Sequence, residues 1–295
     1  MANPEILAIR NLLAQSPKNL SAVELRVAYD GLGAMFPTLA DIKFSSDKIG
    51  AIAAEWSATP KANQDQVILY LHGGGFVIGS LASHRHLAAE LGRASGTRTL
   101  AIDYRLAPES PFPAAVDDAL SGYKFLLDRG IKPASIAIAG DSAGGGLAVA
   151  TLAAARDAGL PQPSCALCIS PWVDLEMIGE SMTSKAQEDP MVQREMLQQW
   201  TNAYLGKAPA RTPLAAPIHA NLKGIAPLLI QVGSAETLLD DSIRLAARAG
   251  AQEVSVRLET WPEMIHVWHF FHPMLADARR ALAVAGNFIR ESMNQ

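Results

Sequence analysis

The chain of 295 residues is long enough for one large hydrophobic core or two modest ones. Its 49% hydrophobic and 18% charged residues are ordinary for a globular protein, and a net charge of −4 gives no general attraction for nucleic acid or anionic membranes. The N-terminal stretch MANPEILAIRNLLAQ breaks its apolar pattern with Glu5 and Arg10, and no run reaches membrane-spanning length, so a cytoplasmic protein with neither nucleic acid nor membrane as partner is expected.

The first 36 residues read as helical. Ile6, Ile9, Leu12 and Leu13, then Val23, Leu25 and Val27, recur at roughly helical spacing, with Pro17 and Pro37 as punctuation. DIKFSSDKIGAIAAEWSATP alternates and turns as a β-hairpin does. From Val67 the texture changes to strand, loop and helix. VILYLH, TLAID, SIAIAG, CALCIS, PLLIQVG and VSVRLETW read as strands. HRHLAAELGRASG, AVDDALSGYKFLLDRG, GLAVATLAAARDAG, DDSIRLAARAG and ADARRALAVAGNFIRES read as helices, several of them closed by glycine. Continuous apolar strands alternating with amphipathic helices predict an α/β protein with a mostly parallel eight-stranded sheet, covered by helices on both faces.

One segment breaks the alternation, from Met177 to about Pro217. SKAQEDPMVQREMLQQWTNAYLG reads as helical, and the Pro-rich KAPARTPLAAP follows. It is too long for a simple crossover. It predicts an insertion above the sheet, packed with the N-terminal helices. The expected division is 1–40 and 177–217 as a helical cap, and 41–176 with 218–295 as the sheet domain. The two cysteines, Cys165 and Cys168, have C-x-x-C spacing, but positions three apart in a strand point to opposite faces. No second pair exists to complete a zinc site, so two buried structural thiols and no metal are expected.

In parallel sheets ligands bind beyond the carboxyl ends of the strands, so polar residues just after strands carry the functional reading. Four groups stand out. HGGGF, His72–Phe76, offers a glycine loop whose N–H groups can turn toward an oxyanion, or simply a tight turn. It lacks the Lys-Ser/Thr of a phosphate loop. GDSAG places Ser142 between a buried strand and a helix, in the pattern G-x-S-x-G, with the N–H of Ala143 beside it. A helix-capping serine is the plainer alternative. Glu236, followed by Asp240 and Asp241, stands after the strand Leu228–Val232, where carboxylates also occur for capping reasons. His266 follows the last strand, with His269 and His272 as close competitors. A carboxylate that orients a histidine, and a histidine that reaches a serine, are the parts of a nucleophilic triad.

With HGGGF at 72–76, DYRLAPE at 103–109, GDSAGG at 140–145 and MIH at 264–266, the sequence resembles the hormone-sensitive-lipase-like branch of the α/β-hydrolases, the bacterial family IV carboxylesterases. The likeness runs from about Asp41 onward, and the chain order Ser…Asp/Glu…His is that of the fold. The resemblance implies a serine carboxylesterase with Ser142, Glu236 and His266 as its triad. It implies backbone N–H groups of Gly74, Gly75 and Ala143 as the oxyanion hole, with Gly73 as a possible substitute. It also implies no cofactor, a small-molecule ester as substrate, and a homodimer joined through the edge strand VSVRLETW. The family usually shows an Asp in D-P-L-x-D; here ETLLDD puts Glu236 at the triad position and Asp240 at the second aspartate. DYRLAPE is expected to buttress the glycine loop, with Asp103 and Arg105 pairing to loop and core groups and Pro108 in a rigid turn compatible with a cis bond. Asp141 is expected to brace the serine turn. Candidates to line a pocket for short to medium acyl chains are Met177, Met182, Met191, Trp172, Trp200 and Phe36. Lactone, thioester or amide hydrolysis, or non-catalytic binding of a small molecule, are the alternatives.

Overall fold

The apolar runs VILYL, IAIAG, CALCI and LLIQVG are continuous, and the computed structural model, which describes residues 3–15, 20–38 and 40–294, buries them inside one eight-stranded sheet. The strands are β1 (Lys43–Ile49), β2 (Ile52–Ala58), β3 (Asn63–Leu71), β4 (Thr97–Ile102), β5 (Ile136–Asp141), β6 (Cys165–Ile169), β7 (Leu228–Gly233) and β8 (Val256–Trp261). Their order is β1-β2-β4-β3-β5-β6-β7-β8. The first two form the expected hairpin, and β2 runs antiparallel to β4. Every other pairing is parallel. β3 begins before Val67, with a register shift between Asn63 and Val67 that the alternation did not reveal.

Side-chain alternation divides the core into two layers. Val67, Leu69 and Leu71 of β3 join Ala119 and Tyr123 of α4 (Ala114–Asp128) and Leu147 of α5 (Ala143–Asp157). Ile68 and Tyr70 join Leu87 and Leu91 of α3 (Leu81–Ser95) and Ile289 of the C-terminal helix α9 (Ala276–Met293). Each fully buried aliphatic side chain contributes about 2 kcal/mol. Cys168 lies in the first layer and Cys165 in the second, both as free thiols, so the strand does hold them on opposite faces.

At the N-terminus, α1 (Pro4–Ala14) and α2 (Ala22–Ala34) match the helical reading. Pro17, expected between them, lies outside the described residues. Ser21 and Glu24 close a capping box at the start of α2. The long helical reading of the insertion is corrected. Only α6 (Ser181–Ser184) and α7 (Arg194–Leu205) are helical, and the chain between them bends. Pro190 cannot donate a helical hydrogen bond, and the Asp189 side chain takes the N–H groups of Met191 and Val192. After β7, α8 (Leu239–Ala251) packs on the first layer. Among the described residues no helix is long and apolar enough to cross a membrane.

Backbone contact fixes α9 against α3. A Cβ added at Gly286 would lie 2.5 Å from the Ala94 carbonyl carbon and oxygen, closer than atoms approach. Gly286→Ala is therefore expected to lower stability by roughly 1–3 kcal/mol through overpacking, read as a fall in the thermal midpoint.

Candidate active site

The turn from β5 to α5 is tight because its glycines are needed. A Cβ at Gly140 would fall 2.3 Å from the Gly144 carbonyl oxygen, and one at Gly144 would fall 2.0 Å from that of Leu71. Between them Ser142 is held at φ 53°, ψ −120°, a conformation L-residues rarely adopt. The elbow is pinned from several sides: Ser142 N–H donates to the Ile169 carbonyl at 2.8 Å, and its own carbonyl accepts Trp172 N–H at 2.9 Å and Gly146 N–H at 3.1 Å. The Ser142 side chain makes no helix-capping hydrogen bond.

The glycine loop after β3 faces the same place. Gly74 and Gly75 have φ of 114° and 61°, which glycine tolerates without cost. Their N–H groups, like that of Ala143, donate to no protein acceptor among the described residues. Gly73 differs: its N–H donates to Asp141 Oδ1 at 3.1 Å, so this expected substitute donor is already engaged. The same carboxylate accepts the Tyr70 hydroxyl at 2.6 Å and stands 3.3 Å from His84 Nε2. Burial pushes Asp141 up, but the charge and hydrogen bond of His84, with Tyr70 and His72, outweigh it and hold its carboxyl below the usual range. Asp141 thus braces both loop and elbow.

Glu236 and His266 meet. His266 Nδ1 lies 2.7 Å from Glu236 Oε2. A ring nitrogen facing a carboxylate carries the proton, which leaves Nε2 as the acceptor. The other Glu236 oxygen accepts the Ser170 hydroxyl at 2.8 Å and Gly233 N–H at 2.6 Å, and the carboxylate is fully buried. The Ser170 hydroxyl oxygen also accepts Val267 N–H at 3.1 Å, so one serine supports the turns of both residues. Burial pushes the His266 imidazolium down in pKa. The hydrogen bond and charge of Glu236, then the charges of Asp189 and Asp141, more than offset this and raise it. Asp240 points elsewhere, accepting Ser181 N–H at 2.9 Å. Asp241, pushed up to about 7 by burial, accepts the N–H groups of Val173 and Asp174 at 2.9 Å each. His269 is spent on Gln231 at 2.9 Å, and His272 packs on His86 with ring centres 5.5 Å apart.

Ser142, Gly74 and His266 line one cavity of about 210 Å³. Of the six expected lining side chains, Met191 and Trp200 are there, joined by Tyr29, Leu32 and Met196. Met177, Met182 and Trp172 are instead buried in the first core layer, and Phe36 in the second. A larger cavity of about 370 Å³ between α1 and α2 contains none of these polar groups. DYRLAPE does support the loop, but chiefly through Tyr104, whose ring stacks on His72 at 4.2 Å and whose hydroxyl donates to the His72 carbonyl at 2.7 Å. Arg105 turns away to Asp118, and the Ala107–Pro108 bond is cis. Sequence reasoning missed Ser170, Tyr104, His84 and Asp189; of these, Ser170 directly follows a strand, the place where ligands gather. Asp174, Glu176 and His219 lie close enough to share a cation, but Arg244 and Arg211 already pair with the two carboxylates.

A family model described as the alpha/beta hydrolase fold matches residues 68–270. The chain is similar to an acetyl-hydrolase of Streptomyces hygroscopicus, 44% identical over 297 residues, covering 100% of this chain and 99% of the relative. It is similar to the crystal structure of an esterase/lipase from an uncultured bacterium, with a TM-score of 0.96 at 44% identity and 100% of both chains covered. A further likeness is to an esterase of the bacterial hormone-sensitive lipase family, with a TM-score of 0.97 at 43% identity and 99% of each chain covered.

Removing the Glu236 charge leaves burial opposed only by more remote carboxylates. Glu236→Gln is expected to bring the His266 pKa below the ordinary 6.5, measured by NMR titration of the ring protons. A value that stays raised would contradict the pairing.

Proposed function

The chain belongs to the α/β-hydrolase family, in its bacterial hormone-sensitive-lipase branch, and we propose that it hydrolyses carboxylic esters of short to medium acyl chains through an acyl-enzyme on Ser142. The observation that carries this reading is the Glu236–His266 pair at 2.7 Å, sharing a cavity with a serine on a strained strand-to-helix turn. His266 Nε2 takes the hydroxyl proton as Ser142 Oγ attacks the ester carbonyl carbon. The carbonyl oxygen becomes an oxyanion held by the N–H groups of Gly74, Gly75 and Ala143, donors with no competing protein acceptor among the described residues. His266 then gives its proton to the departing alkoxide, and Glu236 holds the ring and favours its cationic form throughout. Water hydrolyses the acyl-enzyme by the same proton route.

A cap made from 1–40 and 177–217 is supported by the cavity wall, which takes Tyr29 and Leu32 from α2 and Met191, Met196 and Trp200 from the insertion. A cavity of about 210 Å³ suits short to medium acyl chains. We infer a cytoplasmic homodimer joined through β8, whose outer side has no strand beside it among the described residues.

Two measurements test this. Ser142→Ala is expected to cut turnover of p-nitrophenyl acyl esters roughly a million-fold, the scale for losing a triad nucleophile, and to abolish labelling by a fluorophosphonate while leaving the fold intact. Retained turnover would overturn the assignment. Light scattering at micromolar concentration is expected to give twice the chain mass of 31.4 kDa; a monomer would refute the dimer.

A further inference from the structure

Asp189 is a buried carboxylate that the proposed reaction does not use. It sits in the bend between α6 and α7 and is only 2% exposed. Its partners are four neutral donors. Oδ1 accepts Met191 N–H at 2.8 Å and Val192 N–H at 2.9 Å. Oδ2 accepts Thr237 N–H at 2.9 Å and lies 3.2 Å from the Thr237 hydroxyl, which is equally close to the Val192 carbonyl. These partners belong to two different parts of the site. Met191 and Val192 form part of the cavity wall. Thr237 follows Glu236 directly in the chain, in the turn that carries the carboxylate facing His266.

We propose that Asp189 is a positioning residue that ties the cavity wall at Met191 and Val192 to the turn bearing Glu236, so that acyl-binding wall and triad acid are held in one register. The inference rests on the reading of Ser142, Glu236 and His266 as a triad. Without this carboxylate the bend between α6 and α7 meets the Glu236 turn through the Thr237 hydroxyl and its Val192 contact, while the insertion keeps a second tie from the Ser181 hydroxyl to the Thr237 carbonyl at 2.7 Å. The part-buried N–H of Met191 and the buried N–H groups of Val192 and Thr237 would then lose their acceptor. The negative charge has a second effect. The charged groups facing His266 are Glu236 from the β7–α8 turn, Asp189 from the insertion and Asp141 from the end of β5, and all three favour the protonated ring.

Asp189→Asn tests both effects. Asparagine keeps the volume but offers one acceptor oxygen and an NH2 group, so one pair of donors must face another donor. Four things are measured on the full chain: the thermal midpoint, the pH profile of kcat/KM, and kcat and KM for p-nitrophenyl butyrate and octanoate. The variant is expected to fold and to lose about tenfold or more in kcat, the scale of one hydrogen bond to a charged group. Its acid limb should move to lower pH, because one charge favouring the imidazolium is gone. The ratio of octanoate to butyrate turnover should change as the wall at Met191 shifts. A folded variant whose acid limb and chain-length ratio both match the parent overturns the proposal. If Asp189→Asn fails to fold, Thr237→Val removes only the hydroxyl; a lower kcat with an altered chain-length ratio supports the proposal, and an unchanged pair of values overturns it. A parent chain that neither turns over these esters nor takes a fluorophosphonate label refutes the triad itself, which separates that failure from failure of the Asp189 role.

Discussion

The site depends on a contact between backbones. Gly144 in the first turn of α5 lies so close to the Leu71 carbonyl that no side chain fits, and Gly140 lies as close to Gly144. Those two contacts press the start of α5 onto the end of β3, where the glycine loop begins. They go with the positive φ of Ser142, which lines the same cavity as Gly74. The strain, on the order of 1–3 kcal/mol for such a residue, is small beside the buried strands on either side. The elbow can therefore be strained only because β3, β5 and β6 are packed on both faces by continuous apolar side chains.

Around this contact the loops are held by polar groups that each serve two partners. Asp141 joins the loop at Gly73 to the strand at Tyr70 and to α3 at His84. Ser170 joins Glu236 to the backbone after His266. Trp200 of α7 lies directly against Gly75, where a Cβ would come within 1.9 Å of its ring, and Tyr204 one turn later stacks on Phe76 at 3.8 Å. The insertion is thus fastened to the glycine loop as well as forming part of the cavity wall. Gly75 needs to be glycine for this packing as much as for its backbone angle.

Much of this was legible in the sequence because it rests on local rules. Glycine at 140 and 144, alternation along β3, and a serine, carboxylate and histidine after successive strands all leave local signals. Glu236 over Asp240 was readable from spacing, since Asp240 lies a turn further on and meets Ser181 instead. What could not be read depends on side chains brought together from distant segments. Pro190 in SKAQEDPMVQRE marks the break of the helix locally, but the pattern gives no sign that Asp189 would bind Thr237, 48 positions away. Apolar residues of the insertion look alike in the sequence, yet Met177 and Met182 enter the core while Met191 faces the cavity. Tyr104 was passed over because it reads as an ordinary apolar position beside two charges, and its role appears only when His72 lies under its ring.

The three buried carboxylates near His266 share one property: none of Asp141, Asp189 and Glu236 is paired with a Lys or Arg among the described residues. Elsewhere in the molecule acidic groups meet arginine, as Asp174 meets Arg244 and Asp118 meets Arg105. Burying a carboxylate without a cation is costly, and here the cost is offset by N–H, hydroxyl and imidazole donors. An arginine in any of these places would satisfy the same oxygens but cancel the charge. The N–H and hydroxyl donors bring no counter-charge to Asp189 and Glu236, whereas Asp141 also faces the charge of His84. The ring beside Glu236 feels the field of these carboxylates most, and His266 is raised in pKa while the equally buried His72 and His269 are pushed down to about 3. What separates His266 from those two is the carboxylate at 2.7 Å, with the charge of Asp189 behind it; the charge of Asp141 acts on all three rings.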